Sequence, residues 1–234
     1  MFDCYYSGIS QAGHTATGRL RVNELGIYIM LFIQKSQLKA ALTHAAKSDI
    51  RYYLNGVMLE FTASGPMHIV ATDGHRLFCG LVDKPDWMNE PQKGPFSIII
   101  PVETVKKACA SKDGTLQLKA FGDGSYTLGD CLFRPVEGTF PDWRRVSPKS
   151  GEPALEGEHQ YDWRYVADAQ NALNLWYGTK DKYYWFKTVA AGTLGYGTGI
   201  MLGSDCTAYC VVMGVRTDKI DCASHFTPAP YENV

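Results

Sequence analysis

The sequence has no Cys-x-x-Cys pair, no apolar run long enough to cross a bilayer and no excess of charge of either sign. Its seven cysteines (Cys4, Cys79, Cys109, Cys131, Cys206, Cys210 and Cys222) are odd in number and scattered, so neither a disulfide framework nor a zinc ribbon is indicated and a reducing cytoplasm is expected. Cys206 and Cys210 lie four apart on an expected strand, ~13 Å at strand rise, too far to share a metal. No motif calls for a metal or a cofactor. Twenty-three Lys and Arg against 24 Asp and Glu leave a formal charge of -1, which argues against a protein that holds nucleic acid by bulk charge; any basic surface must be local. The longest apolar run, residues 25–33, is too short to span a membrane, and it leads into Gln34-Lys35-Ser36-Gln37, which is not a cleavage site; it reads as a strand.

What is present is the composition of a folded protein: 45% hydrophobic residues, 12% aromatic and 23 glycines in 234 residues. A compact chain of this length buries roughly 70% of the surface its unfolded form exposes, enough for a substantial core. Residues 1–29 show no period and read as an N-terminal extension, with Met30 an alternative start. From there one order of elements recurs: a short apolar strand, an amphipathic helix, then three short strands. The first pass places a strand at 31–34, a helix at 35–47 and strands at 52–62, 67–72 and 76–82. The second has a strand at 96–100, a helix opened by Pro101, and strands at 115–121, 125–128 and 131–136. The third has a strand at 159–161, a helix at 163–176 and strands at 183–190, 199–202 and 207–213. Each pass puts an Asp in its last hairpin, at Asp73, Asp130 and Asp205, where a carboxylate accepts turn N–H groups.

Pro, Gly, Asp and Asn mark breaks at 83–94 and 147–158. The expected organisation is therefore α+β: a complete domain of two βαβββ units over 30–146, a linker at 147–158, a half-domain at 159–216 and a mobile tail at 217–234. In the first helix Leu38, Ala41, Leu42 and Ala45 face inward while Lys35, Lys39 and Lys47 run along another face. The second repeats this, with Lys106, Lys107 and Lys112 outward. Such ammonium groups can meet phosphate without reading bases, although a lysine stripe taken alone is more often only a solvated face.

Two strings go beyond pattern. Arg51-Tyr-Tyr-Leu-Asn-Gly-Val-Met-Leu-Glu60, leading to Val70-Ala-Thr-Asp-Gly-His-Arg-Leu77, and Phe140-Pro-Asp-Trp-Arg-Arg-Val146 closely resemble the bacterial sliding clamp, the β subunit of the replicative DNA polymerase. The segment Ala208-Tyr-Cys-Val-Val-Met-Gly-Val-Arg216 is similar to that family's C-terminal strand. The resemblance implies the sliding-clamp fold: a ring of βαβββ units with sheets outside and basic helices around duplex DNA. It also implies a pocket for short extended peptides bearing Gln and bulky apolar residues. Carried over by position, that pocket takes Leu54, Thr72, Gly74, His75, Arg76 and Leu77 from the first unit. Pro141, Arg145 and Val146 come from the second string, and Val211, Met213, Val215 and Arg216 from the last. The DNA-facing set is Lys35, Lys39, Lys47, Arg51, Lys106 and Lys107.

The chain departs from the family where Met213-Gly214-Val215 replaces Met-Pro-Met, where Trp143 replaces a tyrosine, and where residues 217–234 run past the usual end. It also has three units where a full subunit has six, leaving a half-domain with an open sheet edge, for which self-association is the natural remedy. If a ring takes twelve units, four chains of three would supply them.

Other chemistries are weaker. Asp73 and His75 with Cys79 or Ser64 could be imagined as a hydrolytic set, but they flank a hairpin without a nucleophile motif. Gly195-Tyr-Gly-Thr-Gly199 lacks nucleotide-loop spacing, and the aromatics at 176–177 and 183–186 read as core or interface before they read as base-stacking groups. The expected function is a non-enzymatic DNA tether and processivity factor that docks clamp-binding motifs of a polymerase or repair factor. Its expected partners are double-stranded DNA, a clamp loader and further copies of itself, with no membrane. The alternative is a non-encircling peptide-binding module or decoy that competes for those motifs.

Overall fold

The computed structural model describes residues 27–62, 66–83, 85–89, 96–147, 155, 159–190 and 197–215. The expected tail, Ser64, Gly195, Arg216 and all but the last residues of the expected N-terminal extension lie outside them. Two units follow the expected order. The first is β1 (Ile27–Gln34), α1 (Lys35–Leu42), β2 (Gly56–Phe61), β3 (Met67–Thr72) and β4 (Arg76–Val82). After β5 (Asp86–Asn89), the second is β6 (Phe96–Pro101), α2 (Val102–Cys109), β7 (Thr115–Phe121), β8 (Tyr126–Leu128) and β9 (Cys131–Phe133). The third unit comprises α3 (Trp163–Tyr177), β10 (Trp185–Ala190), β11 (Gly197–Leu202) and β12 (Ala208–Met213).

The strands form two sheets, ordered β5-β1-β7-β8-β9 and β10-β11-β12-β4-β3-β2-β6. The two complete units exchange their lead-in strands. β1, which leads into α1, pairs with β7, the first strand after α2; β6, which leads into α2, pairs with β2, the first strand after α1. The third unit joins the larger sheet through β12, antiparallel to β4 in the register Ala208↔Gly80 to Val212↔Arg76.

The helices fill one side of this sheet. Leu38 and Ala41 of α1, Val105 and Ala108 of α2, and Ala169 and Leu173 of α3 share a core with Leu31, Leu118, Val57, Ile69 and Phe78. Strand β7 shows the alternation of a half-buried strand, with Leu116, Leu118 and Ala120 inward. Strands β2 to β4 are buried on both faces, because Met58, Val70, Leu77 and Cys79 meet a second cluster with Ile99, Phe140, Trp143 and Val211 on the opposite side. α3 straddles the join between β4 and β12: the Trp176 ring covers Gly80, where a Cβ would stand 2.4 Å from it, and its Nε1 donates to Thr207 Oγ1 at 3.2 Å.

Several boundaries differ from the sequence expectation. The first helix ends at Leu42, not at 47, because Thr43 N and His44 N bond three residues back, to Ala40 O and Ala41 O, tightening the last turn, while Thr43 Oγ1 also takes Ala40 O. Residues 52–54 form a 3-10 turn and not the start of a strand, since the Asn55 side chain ties to both the N and the O of Asp49 and holds the loop closed. The break at 83–94 contains β5, which adds to the outer edge of β1. Strand β1 begins at Ile27, ahead of Met30. The expected strand at 159–161 is reduced to one bridge, Gln160 with Val215.

His44, fully buried just beyond α1, has its Nδ1 2.6 Å from Thr43 Oγ1. Burial, reinforced by the Arg76 charge, holds its pKa down at about 3 instead of 6.5. The unfolded chain therefore binds more protons here between pH 6.5 and 3, and stability must fall as pH drops through that window, by up to ~1.4 kcal/mol per pH unit. Urea unfolding at pH 7 and pH 5 should show this loss, and His44→Gln should reduce it. Equal acid sensitivity in both proteins would contradict the assignment.

Candidate functional site

The join of β4 and β12 creates a cavity of about 270 Å³. Its floor is apolar: Leu54, Leu77, Val211 and the ring of Trp143 are buried, while Val146 and Met213, half exposed, form its rim. Its polar edge comes from the hairpin between β3 and β4. Thr72 Oγ1 donates to Arg76 O at 2.6 Å and accepts from Gly74 N at 3.0 Å; Asp73 Oδ1 accepts from His75 N at 2.9 Å and Arg76 N at 3.2 Å. Gly74 has φ +90, and a Cβ there would meet the Arg51 guanidinium at 2.8 Å, so glycine serves both the backbone and the close approach.

Arg76 is fixed from three sides. Its Nε bonds Asp73 at 3.0 Å, its other guanidinium nitrogen reaches Asp168 of α3, and its plane lies 4.6 Å over the Tyr165 ring. Burial alone would lower its pKa; the two carboxylates more than reverse this and keep it charged. The residue is thus both cavity wall and clasp between the first and third units.

Ten of the thirteen residues expected in the pocket line this cavity: Leu54, Thr72, Gly74, His75, Arg76 and Leu77, then Pro141, Val146, Val211 and Met213. Two do not. Arg145 ends the exposed side of a 3-10 turn whose inward residue is Trp143, and Val215 is drawn aside by the bond from its N to Gln160 O at 2.8 Å. Arg216 lies outside the described residues. The structure adds Arg51, Asp142, Trp143 and Thr198. Thr198 was within reach of the sequence, because antiparallel pairing sets it opposite Met213.

Arg51 corrects an expectation. The sequence places it with the DNA-facing lysines, but its guanidinium is held by Asp49 at 2.8 and 3.0 Å and lines the cavity. The partner Asp49 is correspondingly acidic, held down at about 2 by hydrogen bonds from Arg51. Lys39, Lys47, Lys106 and Lys107 are exposed, though Lys47 lies past the end of α1 and Lys106 bonds Glu103 at 2.6 Å. Lys35 is half-buried and its ammonium caps Ser111 O. Of the hydrolytic set, Asp73 is engaged by its hairpin and burial pushes the Cys79 thiol up to about 12, while Ser64 lies outside the described residues.

A second cavity, about 460 Å³, lies across the Pro141–Trp143 wall and shares that wall with the first. Glu60 and Arg144 border it, paired at 2.5 and 3.0 Å, with the Arg144 guanidinium 4.2 Å over the Trp143 ring. This clasp keeps Trp143 seated in the outer-face cluster.

This arrangement of exchanged lead-in strands, with helices on one side and a cleft at the domain join, is the fold of a sliding clamp. The crystal structure of the DNA polymerase III subunit beta from Pseudomonas aeruginosa superposes with a TM-score of 0.60 at 19% identity, covering 86% of this chain and 70% of that one. The Helicobacter pylori beta clamp in complex with diflunisal gives 0.64 at 10% identity, covering 80% and 66%. Residues 33–142 match the family described as DNA polymerase III beta subunit, central domain. The beta sliding clamp of Escherichia coli strain K12 is 35% identical over 128 residues, 52% of this chain and 33% of that protein. Residues 33–142, just under half of the chain, thus match the central domain of the sliding-clamp family, and the described residues share the sliding-clamp fold. It spans about a third of the length of the curated relatives it matches. Among the described residues no helix is long and apolar enough to cross a membrane.

Trp143→Ala should merge the two cavities into one trough and cost about 3–5 kcal/mol, the usual range for emptying a buried aromatic site. Urea denaturation measures it; a loss below about 1 kcal/mol would mean that Trp143 does not hold the outer-face cluster together.

Proposed function

We propose that this chain is a non-enzymatic tether of the sliding-clamp kind, docking short extended peptides in the cleft between β4, β12 and the 141–146 turn. The cleft carries this reading: a 270 Å³ apolar hollow with Leu54, Leu77, Val211 and Met213 converging from separate elements, edged by backbone-anchored polar groups. Burying a bulky apolar anchor there supplies about 1.5–3 kcal/mol per side chain, while Thr72, His75 and Arg51 set its register. Met213 suits different partners because its thioether readily repacks. The partners are clamp-binding motifs of a polymerase or repair factor. A solved relative holding diflunisal supports the view that this fold accommodates ligands.

The second element is the lysine face. Lys39, Lys106 and Lys107 project from the neighbouring helices α1 and α2 and would meet duplex phosphates without reading sequence, with Lys47 nearby and loading by a clamp loader in the reducing cytoplasm. α3 contributes little: Arg164 is tied to Asp162 at 2.6 Å. A local patch on a chain of formal charge -1 gives weak phosphate contact, which suits a sliding tether better than a fixed binder.

The cleft is assembled from the three units among the described residues, and this favours a second reading: a peptide-binding decoy that never encircles DNA. Fluorescence anisotropy with a labelled peptide bearing Gln and two bulky apolar residues should detect binding that Leu77→Asp weakens by about 100-fold or more, since a buried unpaired charge is heavily penalised. Unchanged binding would remove the site. Retention on nicked circular but not linear DNA supports the tether; peptide binding without retention supports the decoy.

A further inference from the structure

The complete domain shows what a unit of this fold requires. Each unit gives its lead-in strand to the meander of its fellow, so that β1 covers β7 and β6 covers β2, and their helices α1 and α2 pack side by side. The first residues of the receiving meanders are buried as a result: Val57 is 0% and Leu116 3% exposed. The third unit has no fellow among the described residues. Every other described strand belongs to the first two units or, as β5, to the edge of β1.

The consequences are visible on the surface. β10 ends the seven-stranded sheet, and its first residues Trp185 and Phe186 are 82% and 39% exposed, with Tyr183 beside them at 90%. Trp163, opening α3, is 77% exposed. The lead-in residues 159–161 have only the Gln160 bridge to Val215, and Leu155 N touches the β10 edge at Thr188 O.

We propose that a second copy of this chain covers this face, the two third units exchanging lead-in strands about a two-fold axis as the first and second units do within one chain. Residues 159–161 of each copy would lie along β10 of the other, in place of the Leu155 contact, with the two α3 helices side by side. Such an interface is isologous, and the pseudo-two-fold relation of the first two units already demonstrates its geometry. The exposed rings of Trp163, Tyr183 and Trp185 supply part of the ~800 Å² per partner of a stable pair, and the added strand and the packed helices supply the rest. The product is one domain shared between two complete ones.

The test is sedimentation equilibrium of the full chain without DNA or peptide, so that its outcome is independent of cleft and lysine face. A two-chain particle, or an even multiple, is expected at about 10 μM. Trp163→Glu and, separately, Phe186→Glu should each weaken the pair by about 30-fold or more while far-UV circular dichroism stays unchanged. Leu132→Glu, similarly exposed on β9 at the far edge of the other sheet, should leave the pair intact. A monomer at about 100 μM, or a pair indifferent to both aromatic variants, would overturn the proposal.

Discussion

The antiparallel ladder between β4 and β12 is the interaction on which the rest depends. It joins strands far apart in the chain, with Ala208 opposite Gly80, and makes one sheet of what would otherwise be a domain and a loose half. Leu77 and Val211 become neighbours only through this ladder, and the cleft exists only because they do. α3 locks the join from the helix side, with Trp176 flat on Gly80 and Asp168 on Arg76. Trp143 and Arg144 lock the outer face.

Polar groups near the cleft are spent mainly on holding it open in one shape. Asp73 satisfies its own hairpin and Arg76, Asp49 satisfies Arg51, and Glu60 satisfies Arg144. What remains free for a ligand is chiefly apolar surface, with His75 and the half-exposed Arg51 at the edge. That balance supports the proposed docking of an apolar peptide anchor.

Much of this is legible in the sequence because the determining signals are local. Alternation over 115–121 marks β7, Pro101 marks the entry to α2, and the strings ending at Leu77 and Val146 locate most of the cleft. The failures are also physical. The stop of α1 at Leu42 is set by Thr43 competing for Ala40 O, which periodicity does not register. β5 is four residues that survive only by pairing with β1, a non-local contact. Arg51 reads as another surface cation until folding brings Asp49 and Gly74 around it. The exchange of lead-in strands likewise belongs to tertiary pairing, so the deficit of the third unit can be counted in the sequence but not located.

Amide hydrogen exchange across the join is the most direct measurement of the central claim. If β12 is integral to the sheet, the amides of Ala208–Met213 engaged in the ladder will exchange with the same opening free energy as those of β3 and β4, as one cooperative unit. Exchange of β12 through a separate opening several kcal/mol cheaper, with β4 still protected, would show the third unit to be an appendage and the cleft a transient feature.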